Sequence, residues 1–167
     1  APVTRIEMSG PTERLPFAEA AALPYRDVKL GEKLGPIWST YWFRVTVTVP
    51  PAWAGAPVDL LWDSRSEALL WLDGRSSRGL NIGRSAARLT ESATGGKTIT
   101  FHVEVACNRA FGAVESFSLA ATSGEAYQLT WCEIGRLDRE AWSLFYDYDV
   151  LRQLEADRQP AQVPRSV

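Results

Sequence analysis

Residues 38–49 alternate in polarity. Odd positions carry Tyr41, Phe43, Val45, Val47 and Val49, and even positions carry Thr40, Arg44, Thr46 and Thr48. A two-residue period with β-branched and aromatic residues on one parity predicts a half-buried antiparallel strand. Trp38 and Trp42 fall on the polar parity, so each must pack against a further element or stand in water. Pro50 and Pro51 end the run, because neither can donate to a ladder. The alternation returns at residues 98–106, with Ile99, Phe101, Val103 and Val105 inward and Thr100, His102 and Glu104 outward. Residues 57–63, with Val58, Leu60 and Trp62 on one face, and residues 67–73 read as two more strands. Asp73-Gly74 is a hairpin-type turn signal. Residues 75–96 read as mostly loop around Gly79, Gly83, Gly95 and Gly96, with one short strand at 87–90. Further strands are expected at 116–121 and 127–135, and an edge strand at 25–30.

The texture changes at Asp138, which is placed as a helix N-cap. Leu137 and Trp142 occupy the positions of a hydrophobic staple. Ala141, Leu144, Phe145, Tyr148, Leu151 and Leu154 then form a broad apolar stripe at helical spacing, which predicts a helix to about residue 156. Before residue 25 the chain reads as a tail and a short helical piece curtailed by Pro16 and Pro24. Pro160 and Pro164 mark the C-terminal end as a linker. The expected plan is an N-terminal extension over 1–24, a β-sandwich domain over 25–136, a helix over 137–157 packed on the sandwich or on a neighbouring domain, and a linker over 158–167. Short strands with Gly-rich turns and few helices imply a mainly β fold, an antiparallel β-sandwich or jelly roll with a C-terminal α-helix.

Composition narrows the function classes. A chain of 167 residues with 46% hydrophobic and 23% charged residues suits one globular core. A net charge of -2 gives the surface no general attraction for nucleic acid or acidic lipid. No segment approaches the ~20 apolar residues of a membrane helix. The first residues lack a signal-peptide layout and an initiator Met, so the numbering is expected to begin inside a longer protein. Cys107 and Cys132 lie in apolar strand-like runs and read as buried free thiols. One histidine and no CxxC pair leave neither a zinc-ligand set nor a Ser-His-Asp grouping.

Three groups of residues invite a chemical reading. Asp59, Asp63, Glu67 and Asp73 cluster in sequence, and paired carboxylates serve glycosidases, but on amphipathic strands such positions read as solvated strand ends. Trp38, Trp42, Trp62 and Trp71 could stack on a pyranose. Trp62 is assigned instead to the core. Trp38, Trp42 and Trp71 are assigned to a buried seam ahead of a sugar platform and, with Asp73, stand as candidate carbohydrate or interdomain contacts. His102, on the outward parity, reads as a surface or hydrogen-bonded side chain, and Asn108 as a residue that satisfies turn backbone. No phosphate-cradling glycine loop is present.

Several stretches carry a family resemblance. ERLPFAEA at 13–20, GPIWSTYWFRVTVTVPPAW at 35–53, VDLLWDSRSEALLWLDG at 58–74, FHVEVACN with the following FG at 101–112, and DREAWSLFYDYDVLRQL at 138–154 occur in family order. Together they resemble the N-terminal domain of the cytosolic-type α-mannosidases of glycoside hydrolase family 38. The pattern departs from the family at Arg109-Ala110 and across the loop-rich 75–98. The strand pattern ending in WLDG is also similar to the galactose-binding-domain-like jelly rolls attached to other glycosidases, β-galactosidases included. The resemblance implies a non-catalytic domain ahead of a separate catalytic domain, which carries a His-x-Asp zinc motif and an aspartate nucleophile. His102 is followed by Val103 and Glu104, so that motif is absent here. No catalytic or metal-binding residue is assigned to this chain, and zinc is expected only in the catalytic domain of the parent enzyme. The implied partners are that domain, other subunits of a homo-oligomer and a mannose-containing oligosaccharide, with neither nucleic acid nor membrane and a cytoplasmic location. A carbohydrate-binding module is the alternative, and a self-contained enzyme ranks below both.

Overall fold

The computed structural model describes residues 1–108 and 127–158, with side chains to residue 155. The expected strand at 116–121 and most of the expected linker lie outside the described residues. The strands are β1 (Arg5–Thr12), β2 (Arg26–Asp27), β3 (Lys33–Leu34), β4 (Thr40–Thr48), β5 (Val58–Asp63), β6 (Glu67–Leu72), β7 (Arg75–Leu80), β8 (Ala86–Thr90), β9 (Thr98–Ala106), β10 (Tyr127–Gln128) and β11 (Trp131–Arg136). Two helices, α1 (Phe17–Ala21) and α2 (Arg139–Arg158), accompany them.

The strongly alternating segment becomes the middle of a six-stranded sheet ordered β2-β1-β4-β9-β6-β7. Its nine residues pair in register with β9, from Thr40 opposite Ala106 to Thr48 opposite Thr98. A second sheet, β11-β5-β8, and a two-stranded ribbon, β10-β3, complete the described strands, and every named pairing is antiparallel. The core fills the space between the two larger sheets. Met8, Phe43, Val45, Leu70, Phe101 and Val103 come from the first, and Val58, Leu60, Trp62, Cys132 and Ile134 from the second. Phe43 meets Trp62 edge-on, with ring centroids 5.1 Å apart. The mainly β sandwich expected from the periodicity is the observed architecture. Both cysteines are free and buried, and burial pushes the Cys132 thiol up to about 12.

Residues 1–24 are not an extension. β1 lies inside the six-stranded sheet, paired with β4 on one side and β2 on the other. Ile6 and Met8 enter the core, while Glu7 and Ser9 face the other way. The strand is hard to read from sequence because Gly10-Pro11 interrupts it. Gly10 sits at φ +130, and a Cβ there would lie 2.7 Å from Tyr41 Cδ1 and 3.0 Å from the Thr40 carbonyl oxygen. The glycine lets β1 bulge past β4 between Ser9 and Thr12.

β7, within the expected loop, also has a plain cause. RSSRGL has no apolar alternation, because this edge strand has one buried residue, Leu80. Its pairing is enforced by the turn: Asp73 (φ 48) and Gly74 (φ 76) adopt the two positive φ values of a tight hairpin joining β6 to β7. β2 stands at the sheet edge, as expected for 25–30, though it spans two residues. The expected strand at 127–135 is two strands belonging to different sheets.

The chain divides into two units at Arg136. The second contains α2, where Asp138 Oδ1 accepts the backbone N–H groups of Glu140 and Ala141, each at 3.1 Å. That is the N-cap expected from the sequence. No helix among the described residues is long and apolar enough to cross a membrane.

Candidate functional site

The outer face of the six-stranded sheet holds the candidate tryptophans. Strand parity puts Trp42 and Arg44 of β4, His102 and Glu104 of β9, and Trp71 of β6 on this side. A solvated sheet would leave them wet, yet Trp42 is fully buried. Its cover is the segment around α1. Phe17 stacks on Trp71, with centroids 5.1 Å apart and planes inclined by 21°. The same ring meets Trp42 at 6.1 Å and His102 at 5.2 Å, both edge-on. Trp71 also approaches Trp42 at 5.7 Å, so Phe17 and Trp42 both crowd it. Such offset and edge contacts are the favoured geometries of aromatic pairs.

The cluster continues into charge. Trp71 Nε1–H donates to Glu104 Oε2 at 3.2 Å. The Arg44 guanidinium lies 4.4 Å from the centre of the Tyr25 ring, a cation–π contact, and Tyr25 meets His102 at 6.0 Å. Arg44 donates through Nε and Nη2 to both Glu7 carboxylate oxygens, at 2.8 and 2.7 Å. Arg5 Nη1 adds a second cation at 3.4 Å from Glu7 and pairs in turn with Asp27. The hydrogen bonds from Arg44 hold the Glu7 carboxyl below the usual carboxylate range, although burial opposes them. Burial pushes Tyr25 up to about 12.

His102 is enclosed by Phe17, Tyr25, Arg44 and Trp71, and no hydrogen bond reaches its buried Nε2. Burial lowers its pKa, the Arg44 charge lowers it further, and Glu7 opposes both. The folded chain therefore keeps a neutral imidazole at a pH where the unfolded chain gains a proton. By linkage, stability present above about 6.5 is lost as the pH falls below it toward the lowered value. Wild-type chain should lose unfolding free energy as the pH falls below about 6.5, and His102→Gln should flatten that slope in urea titrations. An unchanged slope in the variant would show that His102 does not titrate differently on folding.

The other candidates go elsewhere. Asp73 serves the hairpin turn, and a Cβ at the following Gly74 would lie 3.4 Å from Phe17 Cε1, so the turn abuts the cluster. Trp38, at φ 68 and 71% exposed, stands in the loop before β4. Trp62 is in the core and donates Nε1–H to Ser64 Oγ. The carboxylates do not converge: Asp59 accepts from Arg88, Asp63 from Thr130 and the Arg65 backbone, and Glu67 from Asn108. Among the described residues no three His, Cys, Asp or Glu side chains come together as a metal site. Phe17, Tyr25, Arg44 and Glu7 were missed by sequence reasoning. Their signal was indirect: a tryptophan at an outward position demands a cover, and the cover comes from the short helical piece expected between Pro16 and Pro24, here α1.

Known proteins share this arrangement of sequence. The family model described as alpha-mannosidase, jelly roll domain, matches residues 1–135, so β1 belongs to the domain and α2 lies beyond the match. Human alpha-mannosidase 2C1 is 37% identical over 144 residues, covering 83% of this chain and 14% of that protein. Alpha-mannosidase G of Dictyostelium discoideum is 32% identical over 147 residues, covering 84% of this chain and 14% of that protein. The alpha-mannosidase of Saccharomyces cerevisiae is 25% identical over 145 residues, with 81% and 13% covered. The chain thus spans 14% of the length of the first two relatives. With a two-sheet antiparallel sandwich under that match, the chain belongs to the alpha-mannosidase jelly roll domain family.

Proposed function

We propose that the chain is the non-catalytic N-terminal accessory domain of a zinc-dependent α-mannosidase, which hydrolyses terminal α-mannosides of oligosaccharides in the cytoplasm. Zinc and the reacting groups belong to the catalytic domain of the parent enzyme, and this domain supports interdomain or intersubunit architecture. The observation that carries the accessory role is the stacking of Phe17 on Trp71. A sugar platform needs an open aromatic face, and here the chain's own ring occupies it while Trp42 is fully buried. The tryptophans are spent on internal rigidity. The test is titration of the 167-residue chain with mannose and mannobiose, followed by NMR, beside zinc-dependent hydrolysis of an aryl α-mannoside. The chain alone is expected to show neither saturable binding nor hydrolysis, and the longer native polypeptide is expected to hydrolyse. Hydrolysis by the chain alone would overturn the reading.

Trp38 favours a second reading, a carbohydrate-binding module. A non-glycine residue in the left-handed region costs about 1–3 kcal/mol, and such strain is commonly kept for function. Here it presents an exposed indole, fixed by the Trp38 backbone N–H donating to the Cys107 carbonyl at 2.8 Å. Saturable millimolar binding that Trp38→Ala abolishes would move this reading to first place.

A further inference from the structure

α2 carries large apolar side chains on several sides, interspersed with charged ones. Trp142, Leu144, Phe145, Tyr146, Tyr148, Val150, Leu151 and Leu154 are each 49% to 70% exposed. The six-residue stripe expected from the sequence omitted three of these. At 3.6 residues per turn, positions two apart point about 200° from one another. Trp142 and Tyr146 form one row, with rings 4.4 Å apart. Leu144, Tyr148 and Leu151 form a second row on roughly the opposite side, and Val150 and Leu154 a third.

That distribution discriminates among occupants. A helix lying on a lipid surface needs one apolar face and a basic polar face. α2 has no such segregation, and its acidic residues outnumber its basic ones by five to three. A second copy related by a two-fold axis would cover one side and set two net-acidic helices against each other. Large apolar side chains on more than one side of a helix are removed from water only when protein meets it on more than one side. The segments in reach are those of its own polypeptide, since the chain spans 14% of the length of its relatives and tethering raises their effective concentration.

We infer that Arg139–Arg158 is an interior helix of the longer polypeptide, clasped on at least two opposite sides by the protein that follows this chain. The inference rests on the proposed reading of the chain as the leading part of a larger α-mannosidase, and it names the surface through which the two parts join. The two opposite rows, Trp142 with Tyr146 and Leu144 with Leu151, act as separate contacts, so each is sensitive to charge independently of the other.

The test is amide hydrogen exchange of residues 139–158 in the native polypeptide, against the 167-residue chain, with hydrolysis of an aryl α-mannoside measured in parallel. Exchange is expected to slow by about a hundredfold or more in the native polypeptide, as for a packed helix, and to stay slow on tenfold dilution. Leu144→Glu with Leu151→Glu, and separately Trp142→Glu with Tyr146→Glu, should each lower the melting temperature of the native polypeptide. An active mannosidase whose α2 exchanges as fast as in the short chain would overturn the inference and leave the mannosidase reading standing. Protection lost on dilution would assign the surface to a second copy and overturn it as well. A response to only one pair of substitutions would remove the two-sided clasp. Protection in a polypeptide without hydrolytic activity would keep the clasp and remove the mannosidase reading. A native polypeptide no longer than this chain would remove both.

Discussion

Trp62→Ala is expected to cost the chain about 5 kcal/mol, the upper end of the 3–5 kcal/mol range for deleting a buried large aromatic ring. Three observations place it there. The ring is 1% exposed, so the truncation leaves a cavity that solvent cannot fill cheaply. It is the contact of β5 with Phe43 of β4, and therefore one of the places where the two sheets touch. Its Nε1–H is also the partner of Ser64 Oγ, and Ser64 is fully buried, so the substitution strands a hydroxyl as well. Since domains are stable by only about 5–15 kcal/mol, that is about a third or more of the whole. Urea unfolding of the 167-residue chain reads the effect as a lower midpoint at an unchanged slope. Trp62→Phe keeps most of the ring volume and should lose much less, chiefly through Ser64. If the alanine variant lost under about 1 kcal/mol, the two sheets would not share one close-packed core.

That inner core was legible because its cause is local. Phe43, Val45, Phe101, Val103, Val58 and Leu60 are buried on the parity that their own strands announce. The turn at Asp73-Gly74 was legible for the same reason, since two adjacent residues set their own backbone preference. The outer face was not. Nothing within a few residues of Trp42 says that Phe17 will cover it, and nothing near Glu7 says that Arg44 will neutralise it. Both pairings depend on β1 lying beside β4, a contact across 37 residues. β1 itself was obscured by its polar outer residues and by Gly10-Pro11, a dipeptide that reads as an end of structure and is here a bulge inside it. The helix was legible in position and cap, yet its apolar surface is broader than one helical-period stripe, because Trp142, Tyr146 and Val150 lie off that stripe.

The Glu7–Arg44 pair should show how far that outer face is fixed by charge. Arg44→Met removes a guanidinium that donates twice to a carboxylate whose residue is 4% exposed. Breaking a fully buried pair costs about 3–5 kcal/mol, because the remaining charge stays desolvated. Here Arg5 remains 3.4 Å from Glu7 and the Arg44 side chain is 33% exposed, so about 2–3 kcal/mol is expected at pH 7 after allowing for solvent screening. Replacing both residues, Glu7→Leu with Arg44→Met, should cost less than Arg44→Met alone, since no charge is then left unpaired. The pH dependence carries the sign. Arg44 lowers the Glu7 pKa, so the pair contributes stability that is present above about 4.5 and lost as the pH falls through the lowered value. The penalty of Arg44→Met should therefore be largest near neutrality and shrink in acid, where protonated Glu7 no longer needs a cation. The variant should also ease protonation of His102, which loses the repulsion of Arg44 and keeps only the effect of burial and the attraction of Glu7. Urea unfolding of wild type, both single variants and the double variant at pH 7 and pH 4 closes the cycle. Strict additivity at pH 7 would mean that the two side chains do not interact in solution, and the covered face would then rest on its aromatic rings alone.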